Sequence, residues 1–201
     1  IMKQYAMILE IQILSYWHAG SGFGRGADVD ALVLKNRNSL PYLPGRTVKG
    51  LLREAMQCCE DAGAVPGGTA DTLFGTPSQK GKNTGSVPGI LTFGNAELRK
   101  QERRWLSSTE GSGAREALYD TVASTSIDSS SGVAVDRTLR TIELCVPLTL
   151  ESEIGGIPEK SGTEEHLKKA AALLRALGSH RTRGLGRCRC TLRERSEDDA
   201  M

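Results

Sequence analysis

Aromatic side chains make up only 4% of this 201-residue chain. That scarcity disfavours a surface built on rows of stacked aromatics, the way RNA-recognition motifs hold unpaired bases. Charge of one sign is not in excess either. The formal net charge is +2, so bulk charge announces no polyanion partner. No apolar run reaches the length of a membrane span, and no signal peptide precedes the first strand. The expectation is a cytoplasmic protein with no membrane partner. The five cysteines include no Cys-x-x-Cys pair, and their number is odd. This argues against a disulfide framework or a structural zinc site and makes Cys58, Cys59, Cys145, Cys188 and Cys190 small core residues. The Gly-x4-Gly-Lys-Ser/Thr spacing of a nucleotide P-loop is absent, and no internal repeat is visible.

What the chain does have is local concentration of positive charge. Residues 35–53 hold five cations and no acid, and residues 181–195 hold six arginines against the single Glu194. Acids gather around residues 151–165 and in the tail Glu197-Asp198-Asp199. Such asymmetry points to a basic face on a nearly neutral body. The first cluster lies in Leu40-Pro41-Tyr42-Leu43-Pro44-Gly45-Arg46-Thr47-Val48-Lys49-Gly50-Leu51-Leu52-Arg53. Its Pro/Gly turn delivers the chain into an amphipathic helix whose first turns carry Arg46, Lys49 and Arg53. Helix-start amides and the helix dipole are expected to join them in a phosphate-binding surface; the plainer reading is a helix start with solvated cations. The second cluster is Gly178-Ser179-His180-Arg181-Thr182-Arg183-Gly184-Leu185-Gly186-Arg187. Glycines let a backbone come close to a ligand, and arginine forks match phosphate oxygens.

Hydrophobic periodicity orders the rest. Alternation predicts strands over residues 3–14, 139–150 and 187–195, with a short one at 90–93. Helical spacing of Val48, Leu51, Leu52, Ala55, Met56 and Cys59 predicts a helix over 47–59. A second is predicted over 164–177, opened by a Ser161-x-x-Glu164 capping box and stopped at Gly178. Residues 96–119 read as partly helical, broken at 107–113; residues 61–89 and 121–132 read as irregular. The order strand, helix, strand, strand, helix, strand is that of an α+β, ferredoxin-like βαββαβ core. The length fits one domain over 1–201, with insertions at about 61–89 and 107–138.

Three segments in this order resemble the RAMP superfamily of CRISPR–Cas proteins, and most of all the backbone subunits of type III effector complexes. They are Trp17-His18-Ala19-Gly20-Ser21-Gly22, the Leu40 to Arg53 stretch, and the late glycine loop. Ile127-Asp128, Gly132-Val133-Ala134, Leu139 and Glu143 match more weakly, in a region that forms a β-hairpin thumb in the family. The resemblance implies a subunit that holds guide (CRISPR) RNA, meets complementary target RNA, and assembles with other RAMP and large-subunit proteins. His18, Lys35, Arg46, Lys49, Arg53, His180, Arg181, Arg183 and Arg187 are then the expected RNA-binding residues. Cations that grip phosphates leave sequence to base pairing.

In the subunits that cut target RNA, an aspartate precedes the Leu-Pro-Tyr segment. The resemblance therefore implies Asp30 as the catalytic residue and metal ligand, with Mg2+ or Mn2+ as cofactor. A carboxylate there would hold the ion near the scissile phosphate while the 2′-hydroxyl attacks in line. Asp28 is the rival, since both face the same side of an extended segment. Asn36 departs from the family pattern, where an acid is often seen. Both aspartates also suit turns in a loop. Three other activities stay open: a non-catalytic scaffold subunit, a metal-independent guide-processing ribonuclease depending on His18, and a stand-alone enzyme binding a small phosphorylated ligand. Trp17 is a core or interface residue that would otherwise stack on a base, and His166 is a solvated residue at a helix start.

Overall fold

Leu9, Ile11 and Ile13 alternate with Glu10 and Gln12, so one side of an extended segment is apolar and must be covered. That segment is β1 (Gln4–Ile13), near the centre of the sheet. The computed structural model describes residues 4–26, 28–76, 85–159 and 161–196. Residues 77–84 of the expected insertion and the acidic tail at 197–199 lie outside them. After β1 come α1 (Gly45–Asp61), α2 (Thr69–Phe74), β2 (Gly75–Thr76), β3 (Val87–Pro88) and β4 (Thr92–Phe93). The remainder comprises α3 (Lys100–Leu106), α4 (Ser112–Glu116), β5 (Tyr119–Ser124), β6 (Arg140–Cys145), β7 (Thr149–Pro158), α5 (Thr163–Leu173) and β8 (Cys188–Glu194). The fold is mixed α/β with antiparallel sheets.

The main sheet has the order β4-β7-β1-β8, every pair antiparallel. Helices α1 and α5 pack against each other and contribute Val48, Leu52, Met56, Leu167 and Ala170 to the core. Met7, Leu9, Ile11, Leu150 and Ile154 supply the sheet side of that core. β5 and β6 form a separate two-stranded sheet, an arm whose β6 also bridges Trp17 through Cys145 and Ala31 through Ile142. Among the described residues no helix is long and apolar enough to cross a membrane.

Several expectations are corrected. The strand expected over 139–150 is two strands, β6 and β7, parted at Pro147. The alternation of Ile142, Leu144, Val146, Leu148 and Leu150 stays in phase across the break, so periodicity could not show it. Proline, lacking an N–H, was the available signal. β7 then runs on to Pro158 through Gly155 and Gly156, where a register shift opposite Tyr5 and Met7 takes up Gly156 at φ +79°. The stretches read as irregular contain α2, β2, β3 and the later part of β5. The capping box is not formed. Gly162 is the N-cap of α5, while Ser161 Oγ donates to the Pro158 carbonyl at 2.7 Å. The helix also ends at Leu173, because Ala176 bridges Arg187 instead. All five cysteines are free thiols, four of them buried and Cys58 exposed.

Candidate nucleic-acid interface

The late glycine loop sits on the backbone that follows β1. Gly186 N–H donates to the Tyr16 carbonyl at 2.8 Å, and Ser179 N–H to the His18 carbonyl at 2.9 Å. Gly178 (φ +77°) and Gly186 (φ +68°) make that seat possible. A Cβ on Gly178 would lie 2.4 Å from the His18 oxygen, and one on Gly186 only 1.9 Å from the Leu177 oxygen. Between these anchors the loop exposes His180, Arg181 and Arg183, with Arg187 just beyond. None of the three arginines has an acidic partner among the described residues. Arg175 and Arg189 extend this basic surface, lining with Arg187 and Leu14 a groove of about 470 Å³ whose described lining contains no acid. The sequence reading did not name those two as contact residues, although the outward phase of Arg189 along β8 was the signal.

The start of α1 differs from expectation. Gly45 is wedged where a Cβ would lie 2.4 Å from the Phe93 oxygen, and its N–H donates to Asn95 Oδ1 at 2.9 Å. Thr47 and Val48 N–H turn back onto the Pro44 carbonyl. Most of the helix-start donors are therefore already used, and little capacity remains for a phosphate. Arg46 is exposed, Lys49 half-buried, and Arg53 is paired with Asp71 at 2.6 Å. At i, i+3 and i+7 they share one flank of α1, where Lys49 and Arg53 border a cavity of about 560 Å³ beside Phe74 and Val87. Arg181 and Thr182 instead share a second groove with Leu51, Glu54 and Cys58, on the other flank. The fold thus sets the two basic stretches on opposite sides of the helix.

His18 and Lys35, expected on RNA, are engaged within the protein. His18 is 4% exposed, and its Nδ1 lies 2.7 Å from the Glu143 carbonyl. A carbonyl oxygen only accepts, so Nδ1 carries the proton. Trp17 is fully buried, its indole N–H donating to the Val146 carbonyl at 3.1 Å. The buried Glu143 carboxylate accepts the Val33 N–H at 3.0 Å and Lys35 Nζ at 2.8 Å. Lys35 also lies 3.7 Å over the Tyr119 ring. Burial, with the nearby Cys145 and Glu143 adding to it, pushes the Tyr119 phenol well above its ordinary range.

These contacts hold the 30–35 segment along β6, from Glu143 near the root of the β5–β6 arm outward to Thr141. Ala31 bridges Ile142 in parallel, and Asp30 N–H donates to the Thr141 carbonyl at 2.8 Å. The Asp30 side chain is exposed; its Oδ2 accepts the Thr141 N–H at 2.7 Å, and its Oδ1 has no partner among the described residues. Asp28 is exposed in the adjoining turn, its N–H donating to the Arg25 carbonyl at 3.1 Å. Among the described residues no three His, Cys, Asp or Glu side chains converge on a metal-sized site. Asp30 fits a hard divalent ion as a single protein ligand, the arrangement Mg2+ adopts when substrate phosphates and water complete its shell.

No curated protein sequence matches the chain. Its fold is shared with solved structures. A chain of the type III-B Cmr-beta complex bound to cognate target RNA, solved by cryo-electron microscopy, superimposes with a TM-score of 0.69 at 11% identity. That match covers 94% of this chain and 97% of the other. A chain from the apo state of type III-B Cmr-beta gives a TM-score of 0.67 at 14% identity, covering 96% and 98%. A family model for the RAMP superfamily matches residues 10–189.

Proposed function

The chain belongs to the RAMP superfamily, and we propose on that footing that it is a type III CRISPR effector subunit that holds guide RNA and cleaves the paired target RNA at Asp30. One observation carries the cleavage reading: an exposed carboxylate, with one oxygen uncommitted, stands beside the outer part of a two-stranded arm, at Thr141. We read that arm as a thumb. The chain order βαββαβ with sheet order β4-β7-β1-β8 supports a ferredoxin-like core, and residues 1–201 are read as one RAMP-type domain carrying its insertions.

The guide backbone would lie on Arg181, Arg183 and Arg187, extended by Arg175 and Arg189, with Arg46 and Lys49 on the other flank of α1. His180 stands among them as a further donor. These groups grip phosphate without reading bases, so specificity passes to guide–target pairing. Other RAMP and large-subunit proteins complete the assembly, which works in the cytoplasm. Asp30 Oδ1 would hold Mg2+ or Mn2+, with Asp28 the alternative ligand. The bound ion supplies charge neutralisation at the scissile phosphate. The Asp30–Thr141 hydrogen bond would hold the carboxylate against β6 of the arm. As the target 2′-hydroxyl gives its proton to water and its oxygen bonds to phosphorus, the P–O5′ bond breaks and the departing 5′-oxygen takes a proton from water, leaving a cyclic phosphate and a 5′-hydroxyl.

The test is cleavage of guide-complementary RNA by the reconstituted complex with Mg2+, comparing wild type, Asp30→Asn and Asp30→Ala. Asparagine keeps an acceptor for Thr141 N–H and removes the charge. Both variants are expected to lose cleavage by at least ~100-fold, with target binding within about twofold. Wild-type cleavage by Asp30→Asn would remove Asp30 from the chemistry. The Thr141 bond also favours a second reading, a scaffold subunit in which Asp30 only clips the arm. Intact target bound to the wild-type complex would establish that reading.

A further inference from the structure

Arg37 belongs to the cation-rich stretch 35–53, yet it lines none of the grooves described above. It lies on the turn 36–40, whose shape is tightly specified. Asn36 Oδ1 accepts the N–H groups of Asn38 and Leu40 at 2.9 and 3.1 Å. Ser39 takes φ +59°, and the Tyr119 hydroxyl donates to its carbonyl at 2.7 Å. Across a groove of about 440 Å³ this turn faces α3, which presents Lys100, Arg103, Arg104 and Ser107. That i, i+3, i+4, i+7 spacing puts all four on one helix face.

The groove is cationic in a way the neighbouring sheet face is not. On the sheet, Arg99 pairs with Glu10 and Glu151, and Arg195 with Glu153. Among the described residues one acid lines the groove, Glu97, and Arg103 pairs with it. Arg37, Lys100 and Arg104 have no acidic partner among the described residues. Lys100 and Arg104, one helical turn apart, are separated by about 5–6 Å at Cβ, comparable with neighbouring phosphates along a strand. The surface offers donors in a row, and the acid described on it is paired. An enclosed small-phosphate site would converge its donors instead.

We infer that the groove between the 36–40 turn and α3 is a second, sequence-independent contact for a single RNA strand. The inference rests on the RNA-binding reading above and specifies where a strand leaving Asp30 runs. Residues 30–36 connect that aspartate to the groove, about 20 Å along an extended segment. Target RNA passing Asp30 would be steered onto Arg37, Lys100 and Arg104.

Fluorescence anisotropy of the full chain with a labelled single-stranded RNA of unrelated sequence, over a salt series, tests this. The groove variant is Arg37→Gln, Lys100→Gln and Arg104→Gln together; the comparison is the loop variant Arg181→Gln, Arg183→Gln and Arg187→Gln. Three lost phosphate contacts reduce the log K against log salt slope by about 2. The groove variant is expected to show that change and at least ~10-fold weaker binding at low salt, with an unaltered unfolding midpoint. An unchanged slope in the groove variant, with a reduced one in the loop variant, overturns the groove and leaves the RNA-binding reading standing. Failure of the wild type to bind RNA overturns both. Loss of an acidic protein subunit from the reconstituted complex, with RNA binding intact, also overturns the inference.

Discussion

Two glycines of the late loop share a backbone conformation and differ in surroundings. Gly184 has φ +84° and open space for 4 Å around the point a Cβ would occupy, whereas Gly186 at φ +68° would drive a Cβ to 1.9 Å from the Leu177 oxygen. Gly184→Ala is therefore expected to cost only the left-handed penalty, about 1–2 kcal/mol. Gly186→Ala must in addition push the loop off Leu177 and Tyr16, so its cost is larger and RNA affinity falls with it. Urea unfolding and RNA titration of the two variants check this; equal losses would show that Gly186 needs only its φ. The glycine spacing was legible in the sequence because glycine tolerates such backbone angles at little steric cost. Which glycine is a hinge pin was not, since the obstructing oxygen comes from its fold neighbour. His18 shows the same limit. Its identity suggested a ligand contact, but burial beneath the loop is a property of packing.

At the scale of elements, the β5–β6 arm differs most from the reading of its sequence. β5 is largely exposed, so it has no buried face and no alternation to betray it. Its tip is closed by Asp128, whose Oδ1 accepts the N–H groups of Ser130 and Ser131 at 2.9 and 2.8 Å and both hydroxyls. Those hydrogen bonds hold the Asp128 carboxyl far below the usual carboxylate range. Asp128→Ala is expected to speed amide exchange at Ser130, Ser131 and Gly132 and to leave the global unfolding midpoint unchanged. Because the depressed group stays ionised into strong acid, wild-type protection at the tip should survive below the pH at which ordinary carboxylates protonate. A global fall in stability would show that the tip packs on the body. Ile127, Val133 and Leu139 remain exposed along this arm. By contrast α1 and β1 were read almost to their ends, because each buries one continuous face.

For the whole molecule, the buried ionisable groups set an alkaline limit. Burial raises the Cys145 thiol from 9.0 to about 12, and also raises Cys59. A raised folded value means the unfolded chain releases these protons first. Stability is then fully present below the unfolded thiol range near pH 9 and is lost as pH climbs toward 12. Urea midpoints are expected to be flat from neutrality to about pH 8.5 and to fall beyond it. Cys145→Ala, though less stable at neutral pH, should fall less steeply. A parallel decline in both proteins would exclude Cys145 as a cause.

Motif segments carried the family likeness, and composition and periodicity by themselves determined the helix with its Pro/Gly entry, the central strand and the basic glycine loop. These are local signals: turn chemistry, one buried face, or charge within a dozen residues. Tertiary structure alone decided which cations stay free. Arg53 and Lys35 are consumed by Asp71 and Glu143, whereas Arg37, Lys100 and Arg104 meet across a groove from segments some sixty residues apart. It also decided that Asp30 stands against Thr141 on the β6 strand of the arm. Ion pairing and juxtaposition act over a few ångströms in space, and distance along the chain does not reveal them.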